Sequence, residues 1–105
     1  MLVFQKTDTF KAWVRKLDKG ARRAVNERID YAETSGQLGK LLKGTGGIYE
    51  IVMDTGPGYR LYHCRAGETI YWLLVGGIKK DQSHDIERAM AIRDDLKRSG
   101  YGKTD

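Results

Sequence analysis

The chain has 105 residues, enough for one domain with its own core and too few for two. Hydrophobic residues make up 40% and charged residues 31% of it, a balance that excludes wholesale disorder and requires no disulfide or metal to support folding. The 19 Lys and Arg against 14 Asp and Glu give a formal net charge of +5, which favours an anionic partner such as nucleic acid, an acidic protein or a membrane surface.

The first predicted elements are a short strand and a helical hairpin. Leu2 to Lys6 is apolar and rich in strand formers, and it is too short for the core of a signal peptide. Asp8 or Thr9 can cap the first helix, and Ser35-Gly36 ends the second. Apolar residues recur at the helical period on one face of the first helix: Phe10, Trp13, Val14 and Leu17. After a break at residues 18–20, the second helix has its own apolar face: Ala21, Val25, Ile29 and Ala32.

Three strands are predicted in the middle of the chain. Residues 36–47 contain five glycines and are interpreted as a loop. After this loop the apolar period changes to two, which predicts strands joined by short turns over Ile48–Met53, Tyr59–Arg65 and Thr69–Val75. The last is the most apolar and is expected at the centre of the sheet, which Gly76-Gly77 then closes.

A last helix completes the predicted fold. Ser83 can cap it, and the tail from Ser99 to Asp105 is polar and expected to fray. The buried face of this helix is predicted from four residues: Ile86, Ala89, Met90 and Leu96. The element order is β-α-α-β-β-β-α, which predicts one α+β domain over residues 1–105 with a helical hairpin and a carboxyl-terminal helix on one face of an antiparallel sheet.

The sequence lacks the familiar signatures of metal and nucleotide sites. It has no phosphate loop ending in Lys-Ser/Thr and no paired Cys or His at metal-ligand spacing, so no metal or other cofactor is expected. Residues 44–47 are rich in glycine but lack a following helix, and they are interpreted as a flexible connection rather than a phosphate cradle. Cys64 is the only cysteine, and its neighbour His63 points to the other face of its strand, so Cys64 is predicted to be a small buried hydrophobe.

The same observations predict where the protein resides. One cysteine excludes an intramolecular disulfide. No apolar run approaches the roughly 20 residues of a membrane-spanning helix. We therefore expect a cytoplasmic protein with no membrane partner.

Basic and aromatic residues on the sheet are the remaining candidates for a site. Arg60 and Tyr62 share one face of their strand, where an arginine fork can bind a phosphate and a tyrosine can stack on a base. Three lysines before and after the sheet could rim that face: Lys43, Lys79 and Lys80. The pattern fits equally well an alternative in which Arg60 pairs with a carboxylate such as Glu50 and Tyr62 fills the core.

Several segments resemble the "addiction module killer protein" group of the RelE/ParE superfamily. The segments that carry this resemblance are Tyr49–Ile51, Gly56–Tyr62, Leu73–Gln82, Asp85-Ile86 and Ala89. Phe10, Trp13 and Leu17 look like the first helix of that group, and Lys40 to Gly44 resembles its basic approach to the second strand. The resemblance covers nearly the whole chain, and the β-α-α-β-β-β-α order of the family agrees with the order predicted from periodicity.

The resemblance implies the toxin of a type II toxin–antitoxin pair. RelE-like members bind in the ribosomal A site and cleave mRNA without a cofactor, using the 2′-OH of the RNA as nucleophile. Arg60 would then stabilise charge on the scissile phosphate, with Lys80 beside it. His84 would move the proton, because imidazole exchanges protons near neutral pH. The resemblance and the strand pattern together give four further RNA contacts: Lys43, Lys79, Tyr62 and Arg65.

The implied partners are mRNA, the ribosome and a cognate antitoxin. In this group the antitoxin is typically a helix-turn-helix protein, and the toxin–antitoxin complex often binds its own operator DNA. The chain departs from the family at Glu50 and Val52, where basic residues are usual on the second strand. This departure leaves open a ParE-like inhibitor of DNA gyrase, or a catalytically silent binding module of the same fold.

Overall fold

The computed structural model describes residues 1–100, and it confirms the predicted α+β class. Its strands and helices are β1 (Val3–Lys6), α1 (Asp8–Arg15), α2 (Lys19–Ser35), β2 (Lys40–Leu41), β3 (Ile48–Met53), β4 (Tyr59–Arg65), β5 (Ile70–Ile78) and α3 (Gln82–Arg98). A single 3₁₀ turn, Lys79–Asp81, precedes α3. Of the tail that was predicted to fray, residues 101–105 lie outside the described residues. No helix in the described part of the chain is long and apolar enough to cross a membrane.

The five strands form one sheet in the order β1-β5-β4-β3-β2. Neighbouring strands are antiparallel except β1, which runs parallel to β5. The bounds of β3 and β4 are those predicted, whereas β5 continues to Ile78, so that Gly76-Gly77 lies inside the strand rather than after it. The middle position belongs to β4 and not to the more apolar β5, because β1 and β5 pair at one end of the sheet.

The glycine-rich loop contains a strand that periodicity did not predict. Lys40 and Leu41 pair with Glu50 and Tyr49 along the edge of β3. Gly39 has a φ of 82°, and a Cβ there would overlap the Glu50 carbonyl group, so only glycine lets the loop approach the sheet this closely. A strand of two residues is too short to show an alternating pattern.

Helices cover both faces of the sheet, which corrects the prediction of a single covered face. The hairpin of α1 and α2 packs on one face, where the core includes Phe10, Val25, Ile29, Leu61 and Leu73. Helix α3 packs on the other, where the core includes Ile48, Tyr62, Leu74, Val75 and Ala89. Consecutive residues of a strand face opposite sides, so the unbroken buried run in β4 and β5 requires cover on both sides.

The helix caps differ from the predicted ones. Thr7, rather than Asp8 or Thr9, caps α1: its hydroxyl accepts a hydrogen bond from the Phe10 amide at 3.0 Å and donates one to the Leu74 carbonyl at 2.8 Å. Ser83 lies inside α3, because the 3₁₀ turn starts the helix earlier. The end of α2 is as predicted, with Gly36 in the left-handed region at a φ of 74°.

Replacing Thr7 with alanine should lower the free energy of unfolding by about 1–2 kcal/mol, because α1 loses its capping oxygen and the buried Leu74 carbonyl loses a donor. Urea denaturation of the purified protein measures this change. Thr7→Ser keeps the hydroxyl group and should lose clearly less stability than Thr7→Ala. An equal loss of stability in both variants would show that the methyl group of Thr7, and not its capping hydroxyl, stabilises the fold.

Two adjacent glycines in β5 let helices approach the sheet from both sides. A Cβ at Gly76 would overlap the ring of Trp13 in α1, and a Cβ at Gly77 would overlap the carboxyl group of Asp85 in α3. Because neighbouring strand residues face opposite sides, each glycine accommodates a different helix. This close approach places the start of α3 directly over the beginning of β4 and the end of β5.

Candidate functional site

A buried polar cluster lies where α3 begins. Glu50 of β3, 5% exposed, accepts hydrogen bonds at Oε2 from the Tyr62 hydroxyl at 3.2 Å and from the Gln82 side-chain amide at 2.7 Å. The Nε of Arg60 lies 3.9 Å from the same oxygen. Glu50 and Tyr62 are cross-strand partners, and Gln82 belongs to α3. The Glu50 carboxylate therefore ties the first turn of α3 to the sheet.

Arg60 lies at the rim of this cluster, with 12% of its side chain exposed. Its Nη1 donates to the Gly58 carbonyl at 2.9 Å, and the amide of Lys79 donates to the same carbonyl at 2.9 Å. The buried Nε has no hydrogen-bond partner among the described residues. The guanidinium is thus held close to Lys79, and Glu50 balances part of its charge.

Burial sets the protonation of two further groups in the cluster. Burial, and after it the nearby Glu50 carboxylate, raises the pKa of Tyr62 well above its usual range, so the phenol stays protonated. Burial also raises the pKa of the Asp85 carboxyl, and Arg88, whose Nη1 is 3.4 Å from Asp85 Oδ1, partly opposes this effect. Within residues 1–100, no three His, Cys, Asp or Glu side chains are grouped as metal ligands.

Four of the predicted site residues lie at this end of the sheet. Lys79 and Lys80 lie on the 3₁₀ turn, His84 on the first turn of α3, and all three are exposed. We call these residues, together with Arg60, the basic end. Asp81, also exposed, offsets part of its charge. Cationic donors beside an imidazole can bind a phosphate group and exchange a proton with it.

Lys43 and Arg65, by contrast, lie at the opposite end of the sheet. Lys43 is in the turn before Ile48, which pairs with Cys64, the neighbour of Arg65. Four strand positions separate Cys64 from Arg60, about 13 Å along the strand. The structure therefore does not bring Lys43 and Arg65 together with the basic end, and Lys43 does not share a rim with Lys79 and Lys80.

The prediction that a base stacks on Tyr62 is wrong for this structure. Tyr62 is fully buried, with a relative exposure of 0%, because α3 covers the face that was expected to be open. The arrangement found is the alternative left open by the sequence, in which Arg60 pairs with Glu50 and Tyr62 fills the core. Cys64 is buried in the same core, as predicted, and His63 points to the other face.

Two further polar residues of this face were not predicted from the sequence. Gln82 hydrogen bonds to Glu50, and Arg93, 8% exposed, donates from Nη1 to the carbonyls of Thr45 and Gly46. A signal for Arg93 was present, because it follows Ala89 by four residues and so continues the apolar face of α3. Gln82 offered no comparable signal, since its partner is 32 residues away in the chain.

Comparison with known sequences identifies relatives over most of the chain. The model of the family "Phage derived protein Gp49-like (DUF891)" matches residues 12–97. An uncharacterised protein of Haemophilus influenzae (strain ATCC 51907 / DSM 11121 / KW20 / Rd) is 34% identical over 91 residues, which cover 86% of this chain and 91% of the relative.

Solved structures share the same architecture. A double arginine-to-alanine mutant of the Escherichia coli toxin RelE in the free state superposes with a TM-score of 0.70 at 16% identity, covering 88% of this chain and 96% of the other. A chain of the intact E. coli RelBE toxin–antitoxin complex superposes with a TM-score of 0.63 at 20% identity, covering 74% of this chain and 96% of the other. At these identities the likeness is one of fold.

Proposed function

Because the chain belongs to the phage-derived Gp49-like family within the RelE superfamily and has the RelE fold, we propose that it is the toxin of a type II toxin–antitoxin pair and cleaves mRNA on the ribosome. The observation that carries this proposal is that a partly exposed arginine, two exposed lysines and an exposed histidine lie at the same end of the sheet. Such a set matches what RNA cleavage through the 2′-OH requires of a protein.

The proposed reaction uses the RNA as its own nucleophile. The 2′-oxygen attacks the neighbouring phosphorus, the bond to the 5′-oxygen of the next nucleotide breaks, and the products are a 2′,3′-cyclic phosphate and a 5′-hydroxyl. Negative charge grows on the phosphate oxygens during this step, and we assign its stabilisation to Arg60 and Lys80. His84 takes the proton from the 2′-OH and then gives it to the leaving 5′-oxygen, which becomes the 5′-hydroxyl of the product. The need for a 2′-OH makes RNA rather than DNA the substrate.

A second candidate is a protein of the same fold that binds its target without cutting RNA. The contact that favours it is the one between Arg60 and Glu50, because the carboxylate competes with phosphate for the guanidinium. Val52, the cross-strand partner of Arg60, is 45% exposed and offers no charge. A ParE-like gyrase inhibitor or a silent binding module would need no cationic catalyst.

The proposed partners follow from the RelE likeness and the charge. One relative by fold comes from a toxin–antitoxin complex, which supports a cognate antitoxin for this chain, proposed to be a helix-turn-helix protein whose complex with the toxin binds operator DNA. The net charge of +5 suits mRNA and ribosomal RNA as targets. We place this activity in the cytoplasm, where mRNA is translated.

Induced expression in bacteria, with growth and primer extension on cellular mRNA followed together, tests the proposal. The wild type should arrest growth and produce discrete cuts, and Arg60→Ala should lose both, because the scissile phosphate loses its principal donor. The double variant Lys80→Ala/His84→Ala should lose both as well. Arg22→Ala, which removes an exposed arginine from α2 on the opposite face, serves as the matched control and should retain both effects.

The two site variants separate catalysis from folding. Arg60→Ala leaves the buried Glu50 carboxylate without its countercharge and can weaken the fold, whereas Lys80 and His84 are exposed. Circular dichroism of each purified variant shows whether it folds. Cuts that persist in a folded Lys80→Ala/His84→Ala variant would contradict the assigned roles. Arrest with broken DNA and intact mRNA would establish gyrase inhibition instead, and no arrest would establish a silent module.

A further inference from the structure

A second group of positive charges lies at the carboxyl-terminal half of α3, away from the basic end. A cavity of about 270 Å³ there is lined by Arg65 of β4, by Arg93 and Lys97 of α3, and by the turn at Gly46 and Gly47. We call this cavity the basic pocket. Arg93 and Lys97 are four residues apart, so their side chains lie on the same face of the helix.

The charge in the basic pocket is poorly balanced by the protein itself. Arg65 donates to the carbonyl groups of Gly67 and Glu68, at 2.8 and 3.1 Å, and these carry no net charge. Among residues 1–100, the only carboxylate that forms an ion pair with any of the three cations is Asp94, which lies 2.9 Å from Arg93 Nε with 53% of its side chain exposed. Like charges four residues apart on a helix repel each other, so an anion bound in the pocket would relieve that repulsion.

The turn between β2 and β3 leaves room for such an anion. Gly46 and Gly47 have φ values of 71° and 106°, so both occupy a region that favours glycine. A Cβ at Gly46 would lie 3.0 Å from Arg93 Nη1, and a Cβ at Gly47 would meet nothing within 4 Å. Arg93 holds this turn in place, because its Nη1 donates hydrogen bonds to the Thr45 and Gly46 carbonyls. The turn therefore lines one side of the pocket without a side chain at Gly46 or Gly47, which leaves space beside the three cations.

We propose that the basic pocket binds a phosphodiester group of the RNA backbone at a distance from the scissile phosphate, and that it contributes affinity without taking part in cleavage. The proposal rests on the proposed function only for the identity of the anion as RNA. Arg65 and Arg93 each use two of their guanidinium nitrogens for protein acceptors, and the N–H groups that remain suit phosphate oxygens. Leu41, Tyr49 and Cys64 complete the lining of the pocket.

The position of the pocket favours a polyanion over a single acidic side chain. His84 and Lys97 stand at opposite ends of α3, about 20 Å apart along the helix axis at 1.5 Å per residue. A stacked strand advances about 3.4 Å per nucleotide, and His84 and Lys97 also point to different sides of the helix, so a segment of at least about six nucleotides is needed to reach both the basic end and the basic pocket. One RNA strand can therefore place one phosphate at each end.

Fluorescence anisotropy with a labelled 2′-O-methyl oligouridylate of about 12 nucleotides, which a 2′-OH-dependent nuclease cannot cut, tests the pocket in a titration of salt. In Arg65→Gln/Lys97→Gln the plot of log affinity against log salt should be shallower by about 0.7, because the double variant loses the one phosphate contact of the pocket and each such contact contributes about 0.7 for a single strand. Lys19→Gln/Arg22→Gln, two exposed residues of α2 on the other face, changes the net charge equally and should leave the slope near that of the wild type.

The outcomes distinguish the pocket from the proposed nuclease. If Arg65→Gln/Lys97→Gln keeps the wild-type slope while the wild type still cuts cellular mRNA, the pocket proposal is overturned and the nuclease stands. If the slope falls as expected, the pocket is supported whether or not mRNA is cut in cells. Polyglutamate that displaces the oligonucleotide from the wild type at equal charge concentration, and fails to do so from the double variant, would identify an acidic protein as the ligand and overturn the RNA assignment.

Discussion

Replacing Gly76 with alanine should lower the free energy of unfolding by about 3 kcal/mol, at the upper end of the usual cost of overpacking a core. The new methyl group would overlap the six-membered ring of Trp13, and the tilted contact of Trp13 with Phe10 and its edge contact with Tyr59 hold that ring in place. Helix α1 would have to move away from β5. Urea denaturation monitored by tryptophan fluorescence measures the change.

A matched substitution and a second-site change make this prediction specific. Gly20→Ala lies in the first turn of α2, where the new Cβ would meet only Asp18 Oδ1 at an ordinary 3.5 Å, and it should be neutral or stabilise the fold by about 0.4–1 kcal/mol. Adding Trp13→Leu to Gly76→Ala should recover part of the loss, because a smaller side chain makes space for the methyl group. A Gly76→Ala protein as stable as the wild type would show that α1 does not pack this closely on β5.

Lowering the pH from 6.5 to 4 should cost the protein about 3 kcal/mol of stability through His63 alone. Burial lowers the pKa of this histidine from 6.5 to about 4, since the ring lies among Phe4, Tyr49 and Tyr71. The hydrogen bond with the Leu38 carbonyl, 2.8 Å from Nε2, works in the other direction. The positive charge of Arg28 lowers the pKa further.

The sign of this effect follows from proton uptake. Between pH 6.5 and about 4 the unfolded chain binds a proton at His63 and the folded protein does not, so stability falls as the pH falls. Each pH unit within this window is worth about 1.4 kcal/mol. Asp85, with its raised pKa, acts in the opposite direction, because the folded protein keeps that proton to a higher pH than the unfolded chain.

Urea denaturation of the wild type and His63→Gln at a series of pH values isolates the histidine. The glutamine amide can still donate to the Leu38 carbonyl but does not titrate in this range. His63→Gln should be the less stable protein at pH 7.5, through lost ring packing, and the gap between the two proteins should narrow by about 2 kcal/mol between pH 6.5 and pH 5. Parallel curves for the two proteins would rule out a buried neutral His63.

The candidate site was only partly predictable from the sequence, because some of its residues are close in the chain and others are brought together or separated by strand pairing. Lys79, Lys80 and His84 follow one another closely in the chain, so local order is enough to group them, whereas the link from Lys79 to Arg60 through the Gly58 carbonyl is seen only in the structure. Lys43 and Arg65 were assigned to the same site from the resemblance and the strand pattern. The structure separates both from the basic end, because the β3–β4 pairing sets their distance along the sheet.

The sequence by itself determined the local elements, because their signals are local. The alternation in Ile48–Met53 and Tyr59–Arg65 predicts both strands to the residue, and Gly36 marks the end of α2 through its left-handed backbone. The order of elements and the resemblance to the RelE/ParE superfamily also depend on residues close in the chain. A hydrogen bond or an apolar stripe within one element can be predicted from neighbouring residues, because it does not depend on which element packs against it.

Only the tertiary structure decided which surfaces are covered. Periodicity shows that Leu61 and Tyr62 face opposite sides of β4, but not that α3 returns across the second side and buries Tyr62. The parallel pairing of β1 with β5 and the bond from Gln82 to Glu50 likewise join residues far apart in the chain. Both faces of the sheet carry apolar side chains, and folding must remove that apolar area from water. The sequence pattern shows that both faces need cover, but it does not show which helix or strand covers each face.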